Sequence, residues 1–164
     1  MRKHPAGNEN GFTMIEVIVS LVLIGIMAAL AGMFFVSITK GYIFSQQNND
    51  TSLKAQVAMA KMVKEIGSLR IETDTITAAA ATSVTFTRTA TNHTIDLFGT
   101  LIRFDNVTLV DNVTAFTLTY FDNAGVATAT LANIRRVDIT LSMQGAEGVV
   151  STFTDNAKIQ ESYY

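Results

Sequence analysis

Cysteine is absent from this 164-residue chain, so no disulfide holds its loops. Proline occurs once, at Pro5, and no ring interrupts a helix that begins after it. Histidine occurs only at His4 and His93, no cluster has metal-ligand spacing, and no Gly-rich phosphate loop is present. A net charge of −2 is not the basic balance of a dedicated nucleic-acid binder. These gaps leave no catalytic constellation, no metal site and no cofactor to expect. The most telling absence is local: from Val17 to Thr39 there is no Asp, Glu, Lys or Arg.

Ile, Leu, Val, Met, Phe and Ala dominate that run, which as a helix spans about 34 Å, enough for a hydrocarbon core of roughly 30 Å. Arg2 and Lys3 precede it, so the positive-inside bias keeps the short N-terminus cytoplasmic and sends everything after Lys40 across. The expected topology is single-pass with the N-terminus inside. Glu16 does not fit a plain anchor. A carboxylate at bilayer depth costs about 2.5–3.5 kcal/mol, less near the interface, and is usually paired or functional.

Gly11-Phe12-Thr13-Met14-Ile15-Glu16-Val17, after a short basic leader and before the apolar run, resembles the class III signal of type IV prepilins and pseudopilins. The resemblance covers roughly the first forty residues. It implies that a membrane prepilin peptidase cuts after Gly11 and methylates the new amino terminus on Phe12, and that Glu16 meets the charged amino terminus of a neighbouring subunit. Cleavage would expose an α-amine of ordinary pKa about 7.7–8.0, largely protonated at neutral pH. An ammonium and a carboxylate meeting in a low-dielectric bundle attract, and a subunit sliding out of register leaves one of them alone. Many major pilins of this family close their C-terminal region with a disulfide, which this chain cannot do, and that favours a minor pilin or pseudopilin. Family members often carry a proline where this chain has Met33, so a bend at that point is not expected.

Ala29-Leu30-Ala31 also fits a small-x-small signal-peptidase site, but apolar residues continue through Met33, Phe34, Phe35 and Val36, where a signal peptide should turn polar. An uncleaved anchor would leave the Gly11 to Glu16 motif without a purpose.

The chain divides into a removable leader (1–11), a membrane and filament-core helix (12–39), an amphipathic continuation (40–70) and an extracytoplasmic β domain (71–164). Gly25, Gly32 and Gly41 permit close helix approach in the core. Lys40 to Asp50 is mixed and polar, with Gln46, Gln47, Asn48 and Asn49 in succession, which allows a break. Beyond it Leu53, Val57, Ala60 and Val63 form an apolar line with Met59, Met62, Ile66 and Leu69 beside it, while Lys54, Lys61, Lys64, Glu65 and Ser68 occupy the remaining face. The Met residues read as core filler. From Ile71 the chain turns Thr-rich with period-2 alternation. Strands are expected around Val84 to Thr87, Leu101 to Phe104, Val107 to Val110, Phe116 to Tyr120, Val137 to Met143 and Val149 to Thr154, with turns at Asp105-Asn106, at Asp122 to Gly125 and at Gln144 to Gly148. The fold class is therefore α+β, a long N-terminal helix packed by its second half against a mainly antiparallel sheet. Val113 to Tyr120 followed by Ile134 to Ile139 is similar to J-type minor pseudopilins and related minor pilins.

His93 with Asp96 and a serine could be imagined as a catalytic site, but no nucleophile elbow supports it and His93 reads as a solvated turn residue. Asp105, Asp111, Asp122 and Asp155 lack an alternating calcium-loop pattern. Asn92, Asn106 and Asn112 head Asn-x-Thr triplets that a Thr-rich chain produces by chance. Arg135, Arg136 and Lys158 could form a basic patch for nucleic acid, though no stacking aromatic is evident beside them.

The reading is a structural subunit, not an enzyme. Its expected partners are the prepilin peptidase, other pilin or pseudopilin subunits, the inner-membrane assembly platform and the bilayer. It would sit in a bacterial inner membrane before assembly and in a periplasmic or extracellular filament afterwards. The competing readings are a major pilin, or a tip module that binds DNA, a surface or secreted cargo.

Overall fold

A computed structural model describes residues 11–161. One helix, α1, runs unbroken from Met14 to Gly67, followed by eight strands. The chain divides into two compact units, Met1–Ile43 and Phe44–Tyr164. In the first, no part of the most apolar window of α1 is buried. The mixed polar stretch from Lys40 to Asp50 does not break the helix, contrary to the break its composition allows.

In the second unit α1 turns one side inward at the helical period of about 3.6 residues. Phe44, Asn48, Thr51 and Ser52 are half-buried, Ala55, Ala58, Met59, Met62, Glu65 and Ile66 are buried, and Leu69, just past the end of the helix, is buried as well. Met62 and Ile66 are completely covered, each contributing roughly 1.5–3 kcal/mol by leaving water. The expected helix phase is corrected here. Leu53 and Val57 are 59% and 70% exposed, so the line through Leu53, Val57 and Ala60 looks outward. Glu65, expected on the solvent side, is inside. Val57 lies about 200° round the helix from both Ala55 and Met59, at roughly 100° per residue, so one apolar line had to be outside if the other was in.

The strands form two antiparallel meanders. The first comprises β1 (Thr75–Ala80), β2 (Ser83–Arg88), β3 (Thr91–Phe98), β4 (Leu101–Phe104) and β5 (Val107–Val110), in that order. The second comprises β6 (Val113–Phe121), β7 (Arg136–Gln144) and β8 (Val150–Lys158). Strands β4 and β5 have the expected bounds. The single sheet of the sequence reading is thus two sheets, and β1 and β3 were not anticipated. Inward residues alternate with hydroxyls: Val137, Ile139, Leu141 and Met143 are buried along β7, while Ser142 bonds Thr152 at 2.8 Å and Thr85 bonds Thr94 at 3.2 Å. Such alternation gives each sheet one dry and one wet face. The sheets meet where the Leu118 N–H donates to Ala81 O (2.7 Å) and the Tyr120 hydroxyl reaches Ala80 O (2.8 Å) and Ser83 O (3.0 Å).

Glu65 fastens α1 to the first sheet. Its carboxylate takes Lys61 Nζ at 2.9 Å and Arg88 Nη1 at 2.6 Å, and Arg88 also donates to Ser68 Oγ at 2.8 Å. Burial alone would raise the Glu65 pKa, but the hydrogen bonds and charges of Lys61 and Arg88 outweigh it and hold the group below its ordinary value.

The two-residue connections of the first sheet differ in turn chemistry. Asp105 and Asn106, between β4 and β5, have positive φ (50° and 65°) and suit that geometry. Thr89 and Ala90, between β2 and β3, adopt the same left-handed backbone (51° and 64°) without its usual residues. Replacing Thr89-Ala90 by Asn-Gly is expected to raise unfolding free energy by about 1–2 kcal/mol in denaturant titration. An unchanged midpoint would mean that the turn is not strained.

Candidate assembly site

Gly11, Phe12 and Thr13 lie ahead of α1, exposed and outside any helix or strand. Thr13 caps the helix: the Glu16 N–H donates to Thr13 O (3.0 Å) with a longer contact to Thr13 Oγ1 (3.4 Å), and Val17 N–H also reaches Thr13 O (3.3 Å). Thr13-Met14-Ile15-Glu16 therefore has the spacing of a capping box, with a carboxylate in the first turn where the helix dipole favours it. The Thr-x-x-Glu spacing is legible in the sequence, and the contacts that cap the helix run from the Glu16 backbone N–H to Thr13 rather than from the Glu16 carboxylate. Ser20 Oγ donates back to Glu16 O at 2.7 Å. The Glu16 side chain has no cation against it among the described residues. Arg2 and Lys3 lie outside the described residues.

Arg135, Arg136 and Lys158 come together. They line one cleft of about 340 Å³ with Asp122, Asn123 and Glu161. Register does this, since Phe121 pairs with Arg136 across β6 and β7, and Arg136 with Lys158 across β7 and β8. The aromatic missing from the sequence reading is Phe121, whose ring lies 4.2 Å under the Arg136 guanidinium. Two of the cations are already engaged. Arg136 Nε donates to Asp138 Oδ1 at 2.8 Å, and Arg135 Nε faces Glu161 Oε1 at 3.5 Å while its Nη1 donates to Ala132 O and Ile134 O. Lys158 is the member without a carboxylate partner among the described residues.

The remaining candidates are dispersed. His93 is not in a solvated turn but in β3, its ring stacked on Phe104 and its Nδ1 2.7 Å from Asp105 Oδ2. Burial works to raise the Asp105 pKa, but His93 and the Thr94 N–H bring it below the ordinary range. Asp96, the imagined third member, pairs with Arg103 instead. Asp111 takes Lys54 at 2.9 Å, which lowers its pKa, and Asp122 accepts the Ala124 and Val126 N–H groups. Each carboxylate thus has its own local task. Asn106 and Asn112 occupy left-handed backbone, and Asn92 accepts a hydrogen bond from Thr87.

No curated protein and no solved structure matches the chain. Residues 7–32 match the family described as the prokaryotic N-terminal methylation motif, a span that takes in Gly11, Phe12 and Glu16 and the first part of the uncharged run. By that match, the chain carries the N-terminal mark of type IV pilin-like and pseudopilin subunits.

Proposed function

We propose that this protein is a minor structural subunit of a type IV pilus or type II secretion pseudopilus. In this reading, prepilin peptidase cuts after Gly11 and methylates Phe12, and the subunit waits in the inner membrane with its β domain outside. The assembly platform then transfers its helix into the filament bundle, where Glu16 pairs with the amino terminus of a neighbouring subunit. The observation that carries the proposal is the join between the methylation motif at 7–32 and a helix whose apolar window buries nothing within its own chain. An apolar surface of that extent needs lipid or other helices to cover it. The outward line of Leu53, Val57 and Ala60 supports the same reading, because it offers neighbouring helices an apolar face on the side of α1 away from the sheets.

Quantitative mass spectrometry of filaments sheared from cells tests this. The expected result is a peptide beginning at N-methylated Phe12, in trace amount relative to the principal subunit. Abundance equal to that subunit would make the chain a major pilin. A mature terminus after Ala31, or absence from the filament fraction, would remove the proposal.

A further inference from the structure

Residues 45–52 of α1, Ser-Gln-Gln-Asn-Asn-Asp-Thr-Ser, are a poor helix sequence through which the helix nevertheless runs unbroken. Ser, Asn, Asp and Thr rank low in helix propensity, and their short polar side chains compete for nearby backbone groups. Thr51 does so, donating from its hydroxyl to Gln47 O at 2.9 Å. Asn48 does not: its Oδ1 accepts the Ala146 N–H at 3.0 Å, from a turn 98 residues away.

That turn, between β7 and β8, satisfies its other groups locally, with Gly145 N–H to Val149 O at 2.7 Å and Val149 N–H to Ala146 O at 3.1 Å. Glu147 and Gly148 hold left-handed backbone there, at φ 53° and 79°. Gly145 lies directly beneath Asn48, where a Cβ would overlap Asn48 Oδ1. Its own φ of −93° and ψ of −157° are extended backbone open to other residues. Glycine is therefore needed at 145 for the sake of Asn48, not of the turn.

We propose that Asn48, Gly145 and Ala146 form a latch that keeps Ser45 to Ser52 helical, and that opening it lets this stretch fray into an extended connector. The latch withdraws the Asn48 carboxamide from competition with its own backbone and satisfies an N–H that would otherwise be lost in a half-buried turn. It is one hydrogen bond deep, so closed and frayed states lie within reach of each other. The inference concerns Phe44–Tyr164 alone and stands whether or not the chain enters a filament.

Hydrogen exchange of the amides of residues 45–52, in the full chain in detergent micelles, decides it. Asn48→Ala installs the best helix former, so propensity alone predicts slower exchange, whereas the latch predicts exchange faster by on the order of tenfold. Gly145→Ala is expected to act alike by displacing Asn48 without touching the helix sequence. The double variant should exchange no faster than the faster single, because both remove one contact. Asn48→Asp keeps an acceptor and should exchange as the unaltered chain does, while protected β7 amides certify the fold in every case. Slower or unchanged exchange in Asn48→Ala, or additive effects in the double variant, would overturn the latch.

Discussion

Glu16→Leu is expected to leave cleavage after Gly11 intact and to lower recovery of the chain in sheared filaments by more than about tenfold, since a charge left unpaired at membrane depth costs on the order of 2 kcal/mol or more. The capping geometry makes a second substitution decisive. Glu16→Gln keeps the Thr-x-x-Gln form of a capping box and nearly the same volume, but carries no charge. If Glu16 acts through the ammonium of a neighbour, the Gln variant fails to assemble as the Leu variant does. If its task is to start the helix behind Thr13, the Gln variant assembles normally and the register role is withdrawn. Immunoblots of the membrane and sheared fractions, with the mass of the processed N-terminus, separate failed processing from failed incorporation.

Arg88→Met carries the largest expected effect on stability. Glu65 is 7% exposed, and Arg88 supplies one of its two cations. Removing it leaves a covered carboxylate partly unpaired, at a cost of about 2–3 kcal/mol near neutral pH, with Lys61 preventing a larger loss. The pH dependence has a definite sign. The folded pKa of Glu65 is lowered, so the stability its pairing contributes is fully present above its unfolded value near 4.5 and disappears as pH falls through the folded value. The variant should therefore differ most from the parent at neutral pH and converge toward it in acid, as read by urea midpoints across that range. An equal deficit at every pH would mean that the arginine stem, packing against α1, is what matters.

How much of this was legible in the sequence follows from the range over which each signal acts. The motif at Gly11 to Glu16 and the uncharged run after it are local, and both were plain. Strands β4, β5 and β7 were also plain, because residues such as Val137, Ile139, Leu141 and Met143 alternate with polar neighbours. Strand β3 was hidden because its inward set begins with His93, which reads as polar until Phe86 and Phe104 are found on either side of it. The phase of α1 was misread for a related reason. Two apolar lines share the helical period, and only the charge behind Glu65, which comes from β2, shows which one the sheets cover. The pairing of Phe121 with Arg136 and the reach of Asn48 to Ala146 depend on register and on separation along the chain, which periodicity within one segment does not encode.

The tyrosine at the junction of the two sheets also makes that junction sensitive to alkali. Tyr120 is buried with its hydroxyl on the Ala80 and Ser83 carbonyls. Burial pushes its pKa up to about 12, against a weaker opposing effect of the Ala80 bond. A phenol raised in this way favours the folded state below its ordinary value of 10.0 and ceases to do so as pH climbs toward 12. The junction of the two sheets is therefore expected to weaken only in strong alkali, where loss of the phenolic proton leaves the Ala80 and Ser83 carbonyls without their donor.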